Sequence, residues 1–181
     1  EFRQEIEALG RQIREHPDDE RQLEQWLSQP SFVFGKPLYK FILHFFPAIT
    51  VVLVLTAFFV DGLLGYAVIA ALFQWIFLGF HLKRVNAFHQ YISRKKTTLE
   101  KFARILSSIR MEKYTSAIMQ SLGARAEEAD QKVSQLAGLV STFDARLNAM
   151  TNLVVNSLLL YDLQCVYRLE KWREAAPTPP R

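Results

Sequence analysis

The chain has 181 residues, of which half are hydrophobic and 22% are charged, and its net charge is +4. That length holds one domain of ordinary size or two small ones. The charge is too slight to argue for nucleic-acid binding, and the lone cysteine, Cys165, excludes an internal disulfide. The averages conceal a segregation. Residues 1–30 are highly charged, residues 41–80 carry one formal charge, Asp61, and residues 83–175 return to an amphipathic pattern.

Phe2, Ile6, Leu9 and Ile13 recur at helical spacing, which predicts an amphipathic helix at the N-terminus. His16-Pro17-Asp18-Asp19-Glu20 interrupts it. The proline and the acids behind it suit the first turn of a second helix. Leu23, Trp26 and Leu27 give that helix its apolar face. Gln29-Pro30 and Phe34-Gly35-Lys36-Pro37 are breaks. Residues 1–35 are therefore read as N-terminal amphipathic helices. Their acidic, polar character is unlike a signal peptide.

Residues 36–82 form the next region. The apolar runs 41–60 and 63–80 are separated by Asp61-Gly62, a turn signal. As helices they would be about 30 and 27 Å long at about 1.5 Å per residue, which matches a hydrocarbon core of about 30 Å. The β-branched run 49–54 could form a strand, but a lone open strand cannot cross a bilayer. Lys36 and Lys40 precede the pair, and Lys83 and Arg84 follow it, with Arg94, Lys95 and Lys96 beyond. The positive-inside rule puts both ends in the cytoplasm and the turn outside. Lipid is thus the expected partner of residues 41–80. The competing expectation is a soluble bundle in the cytoplasm with a buried helix pair, since His44, Pro47 and Gln74 interrupt the apolar runs.

Residues 83–174 read as a long-helix region. Val85, Phe88 and Ile92 continue one helical face, and Leu99, Phe102, Leu106 and Ile109 form another. A break is expected near Leu122-Gly123. Ala129, Val133, Leu136 and Val140 mark a further helix. Phe143, Leu147, Met150, Val154, Leu158, Tyr161, Cys165, Leu169 and Trp172 then hold a period close to 3.6. That stripe predicts one rigid helix from about Thr142 to Trp172. Asn152, Asn156 and Asp162 would be buried in it and need partners. Arg168, Glu170, Lys171 and Arg173 form its polar end, expected to point toward a downstream domain. Cys165, beside Leu163 and Val166, reads as a small buried hydrophobe, in keeping with a reducing compartment or a cytosol-facing membrane protein. Residues 175–181 read as a Pro-rich linker. With Glu1 already inside a helical pattern, the chain is expected to be a segment of a longer protein. The fold class expected is all-α, a long-helix bundle with a two-helix transmembrane hairpin.

Little in the sequence points to chemistry. His16, His44, His81 and His89 have no cysteine or carboxylate at ligand spacing, although His81 and His89 could share a helix face. His44, inside an apolar run, could relay protons but suits an interfacial or packed position better. Gly35-Lys36 runs into Pro37 and lacks the upstream glycine of a phosphate-binding loop. There is no Gly-x-Ser-x-Gly and no paired-cysteine motif. No catalytic, cofactor-binding or metal-binding residue is assigned, and the segment is expected to be non-enzymatic. The basic concentration at Lys83-Arg84 and Arg94-Lys95-Lys96 could meet nucleic-acid phosphates, but its position beside a span suits anionic lipid.

The stretch from Tyr114 to Trp172 resembles the segment upstream of the ATPase domain in MutS-like DNA mismatch repair proteins, particularly membrane-associated homologues. The resemblance is carried by Phe143-Asp144-Ala145-Arg146-Leu147-Asn148, by Asn156 with Tyr161-Asp162, and by Leu169-Glu170-Lys171-Trp172. The opening from Glu1-Phe2-Arg3-Gln4-Glu5 to Trp26-Leu27 is similar to the start of that core, or lever, region. The resemblance implies a mechanical role, coupling mismatched-DNA recognition or membrane modules to an ATPase domain beyond Arg181. It implies ATP and Mg²⁺ in the parent protein but not in this segment, DNA contact through the parent, and a homodimeric parent. No ATP- or DNA-contacting residue carries over, because the family's ATP-binding loop and Mg²⁺-binding acid are absent here. The alternative is a membrane-anchored helical adaptor or scaffold unrelated to DNA repair.

Overall fold

The computed structural model describes residues 25–93, 96–111 and 116–175. All regular structure among the described residues is helical: α1 (Pro37–Ala57), α2 (Leu63–Ser93), α3 (Lys96–Met111), α4 (Ala117–Asp144), a 3-10 turn (Ala145–Leu147), α5 (Ala149–Leu159) and α6 (Tyr161–Ala175). The expected helix at Phe2–Ile13, the Pro17 helix start and the tail 176–181 lie outside the described residues. Of the second expected helix the last turn is seen, with Trp26 buried.

The chain divides into two compact units. One comprises Glu1–Gln29, Ile92–Ser141 and Ala176–Arg181. Among its described residues, Trp26, Ile92, Leu99, Ala126, Leu136 and Val140 are buried. On the exposed side of α4, Lys132 and Glu128 pair at 2.6 Å one turn apart. The break expected near Leu122-Gly123 is not there, because α4 runs unbroken from Ala117. One glycine costs a helix about 1 kcal/mol, and the strong helix formers around it (Ala124, Arg125, Ala126, Glu127, Glu128) offset that.

The other unit comprises Pro30–Tyr91 and Thr142–Ala175. Pro37 opens α1 at its first turn, behind an extended Lys36. Gly62, at φ +86°, makes the turn to α2. The two helices are antiparallel, as the pairings of Tyr39 with His81 and Phe46 with Phe73 require. α2 does not stop at Phe80. It continues to Ser93 as one helix of 31 residues, about 46 Å long. α5 packs along α1.

The single rigid helix expected over Thr142–Trp172 is broken twice. The chain tightens into the 3-10 turn at Ala145–Leu147, and Asn148 then caps α5, its Oδ1 accepting the Thr151 N–H at 3.2 Å. At Leu160 the backbone turns left-handed, at φ 50°, before α6 begins. The apolar stripe is consequently not one buried face. Phe143, Cys165 and Leu169 are buried, whereas Leu147, Met150 and Val154 are exposed.

Candidate functional site

The hairpin of α1 and α2 presents apolar side chains outward. Both helices are long and apolar enough to cross a membrane, and only 17% of each apolar window is buried. The core helix of a water-soluble bundle would be mostly buried. Here Phe41, Val52, Leu55, Leu64, Ile69, Leu72, Ile76 and Phe80 are all exposed. At the tip, Phe58 and Phe59 are 81% and 88% exposed. A contiguous apolar surface of that extent is far beyond what a soluble monomer shows to water.

Within the hairpin Thr50 and Gln74 are buried, and the side chains of Thr50, Thr56 and Gln74 each donate to another group of the hairpin, while Gln74 Oε1 is left without a partner. Gln74, 1% exposed, donates to Thr50 Oγ1 and, at 3.4 Å, to the Phe46 carbonyl. Thr50 and Thr56 donate their hydroxyls to carbonyls one turn back, at 3.0 and 2.8 Å. Pro47 has no N–H, so the Leu43 carbonyl loses its helical donor. Gln164 of α6 supplies a replacement, its Nε2 lying 3.3 Å from that oxygen. Trp75 donates its indole N–H to Ser157 Oγ at 2.8 Å, tying α2 to α5.

At the open end of the hairpin lies a polar cluster with Asp162, Asn156 and His89 buried and Asn86 at its exposed edge. Arg146 donates to Asn86 Oδ1 at 2.7 Å, and its guanidinium stands 2.9 Å from the Asp162 carboxylate. That second contact is an ion pair off the hydrogen-bonding direction. Burial pushes the Asp162 carboxyl above the usual carboxylate range, and Arg146 opposes the rise. Asn156 accepts the Asp162 N–H at 2.9 Å and donates to Asn152. Alongside, His89 Nε2 meets Asp144 Oδ1 at 3.0 Å and packs edge-on against Phe143.

A second clamp holds the entry to α1. Glu170, 1% exposed, accepts the backbone N–H groups of Phe32, Val33 and Phe34 at 2.8, 2.9 and 2.7 Å. Arg173 donates to Ser31 Oγ, which donates in turn to Glu174, both at 2.8 Å. Glu170 and Arg173 therefore face the chain's own 31–34 segment instead of a downstream domain, while Arg168 and Lys171 remain exposed. Above this clamp is a shallow cavity of about 250 Å³ lined by Phe34, Gly35, Lys36, Pro37, Lys40 and Tyr167.

The three histidines among the described residues each have protein partners. His81 Nε2 meets the Tyr39 hydroxyl at 2.8 Å, His89 meets Asp144, and His44 Nδ1 lies 2.7 Å from the Lys40 carbonyl. His81 and His89 do not converge, and among the described residues no group of three or more His, Cys, Asp or Glu could hold a metal ion. His16, Arg94 and Lys95 lie outside the described residues. Cys165 is buried, and desolvation pushes its thiol up to about 12.

Asn156 finds the partners that its burial requires, whereas the buried Asp162 carboxylate has the Arg146 ion pair and no hydrogen bond. Periodicity gave no sign of Arg146, Gln164 or Glu170 as those that hold the base together. One signal was available: a proline inside a helix leaves a carbonyl four residues back in need of a donor. No family model, no curated protein and no solved structure matches the chain.

Proposed function

We propose that this chain is a membrane-anchored helical coupling segment, in which α1 and α2 cross the bilayer as a hairpin and the remaining helices hold a soluble module against the membrane. The observation that carries the reading is the hairpin's outward apolar surface, unburied over most of both helices. Lys36 and Lys40 on α1's side of the open end and Lys83 and Arg84 on α2's side, against a lone Asp61 at the tip, support an orientation with both ends cytoplasmic. The resemblance to the MutS-like core supports an ATPase beyond Arg181 as the attached module, with DNA and nucleotide handled there. In that reading the chain transmits movement and performs no chemistry of its own.

The breaks at Asn148 and Leu160 favour a second reading, the adaptor that anchors a partner without transmitting a stroke, because a rod couples distant sites only while it is continuous. Membrane insertion is tested by alkaline carbonate treatment of membranes carrying the chain and by labelling Asp61→Cys in a Cys165→Ala background. Retention in the pellet, with position 61 labelled only from the side opposite the termini, is expected. Extraction into the supernatant, or a monomer soluble without detergent, would sink the proposal. A nucleotide-binding loop encoded after Arg181 supports the lever, and a stop codon there supports the adaptor.

A further inference from the structure

The membrane-facing surface does not end with the hairpin. Residues 147–161 contain no charged side chain and no histidine. The charges that bound this stretch, Arg146 and Asp162, are buried against each other at 2.9 Å, so neither appears on the surface of α5. That surface is instead apolar: Met150, Leu153, Val154 and Leu159 are exposed, together with Leu147 just before the helix. Asn156 and Ser157 turn the other way, and Thr151, in the first turn, is exposed. Asn156 is buried and bonded to Asn152 and the Asp162 N–H, and Ser157 accepts the Trp75 indole.

The position of α5 fixes what can cover this face. α5 lies along α1. Arg146, just before it, is held by Asn86, beyond the basic pair Lys83-Arg84. Ser157, near its far end, is held by Trp75, inside the apolar run of α2 and five residues from its basic end. Asn86 and Trp75 are about 16 Å apart along α2, and α5, with 11 residues, is about 16 Å long. The helix therefore starts at the level of the basic residues and climbs beside the hairpin into its apolar zone. Trp75 lies five residues inside the apolar run 63–80, so α5 reaches about 8 Å past its edge, about a quarter of a hydrocarbon core of about 30 Å. The non-helical backbone at Leu160, where it turns back, is buried in protein, the condition under which such backbone is tolerated at membrane depth.

We infer that α5 is a re-entrant membrane helix, whose Met150, Leu153, Val154 and Leu159 face contacts the acyl chains of the same leaflet that the open end of the hairpin enters. The inference rests on the membrane reading above and extends it from a two-helix anchor to a three-helix one. α5 descends into the leaflet with Asn148 and Thr151 at the interface, and the chain returns through the Leu160 turn.

The test is spin-label accessibility in the full chain, reconstituted in vesicles of phosphatidylcholine and phosphatidylglycerol. Single cysteines replace Met150, Leu153 and Val154 in turn in a Cys165→Ala background. Val52 and Leu72 serve as hairpin references and Gln131 on α4 as the aqueous one. All of these positions are exposed, so labels there leave the packing intact. At positions 150, 153 and 154, collision with oxygen should exceed collision with a water-soluble nickel chelate several-fold, as at 52 and 72 and in contrast to 131. Oxygen-favoured collision at 52 and 72 with nickel-favoured collision at 153 and 154 overturns the re-entrant helix and leaves the hairpin standing. Nickel-favoured collision at all five positions overturns the hairpin as well. Labels at 153 and 154 closed to both reagents and broadened by mutual coupling mean that a second copy covers the face, which also overturns the inference.

Discussion

The proline in α1 offers a quantitative test of how the hairpin is tied to α6. Pro47 leaves the buried Leu43 residue's carbonyl without its helical donor, and Gln164 Nε2 approaches that oxygen at 3.3 Å while also donating to Leu159 O at 2.8 Å. Gln164→Leu keeps the side-chain bulk and removes both bonds. An acceptor left unpaired in an apolar surround costs about 1–3 kcal/mol, so the variant should lose stability in that range. Pro47→Ala returns the missing N–H. A proline inside a helix is about 3 kcal/mol worse than alanine, so this change alone should stabilise, less whatever packing the buried ring contributes. In the Pro47→Ala background, Gln164→Leu still loses the Leu159 bond, but Leu43 O is now served by its own helix. The Leu159 contribution is common to both arms of the cycle and cancels. A coupling of about 1 kcal/mol between positions 47 and 164 should remain. The four proteins are compared by detergent-induced unfolding in mixed micelles, followed by helical circular dichroism. If Gln164→Leu costs the same in both backgrounds, within about 0.3 kcal/mol, the carbonyl is not what Gln164 serves.

Arg146→Met strips the counter-charge from buried Asp162 and should destabilise by about 3–5 kcal/mol at neutral pH. The folded-state pKa of Asp162 is already raised by burial and rises further without Arg146, so the penalty should be small in acid and grow as pH climbs through that value; a penalty equal at acidic and neutral pH refutes this. Glu170→Ala orphans the N–H groups of Phe32, Val33 and Phe34 and should lose about 3 kcal/mol, with proteolysis quickened in the 31–36 segment. Lys171→Ala, at the exposed neighbouring position, is the control, and an equal effect of the two would show that the Glu170 clamp contributes nothing.

The sequence by itself determined the helical class and the hairpin. Those features are written within one or two turns of chain: Pro37 fixes a helix start, Asp61-Gly62 permits the positive φ of the turn, and the two apolar lengths fit a bilayer. The same local logic misread residues 142–172. A period near 3.6 reports that a stretch can be helical, and it cannot report whether the helix stays in one piece. Asn148 provides a cap in mid-stripe, which spacing alone does not weigh. Leu160 takes a left-handed conformation that costs an L-residue about 1–2 kcal/mol and that no local preference would select. Only tertiary contacts offset it: the burial of Leu160 itself, the Asp162 N–H held by Asn156, and the Asp162 carboxylate held by Arg146. The contacts that seat α6 are equally non-local. Gln164 reaches Leu43 across 121 residues and Glu170 reaches Val33 across 137. Each answers a need for a hydrogen-bond partner that arises in one part of the chain and is met in another, which is why the fold, and not the pattern of any one segment, decided them.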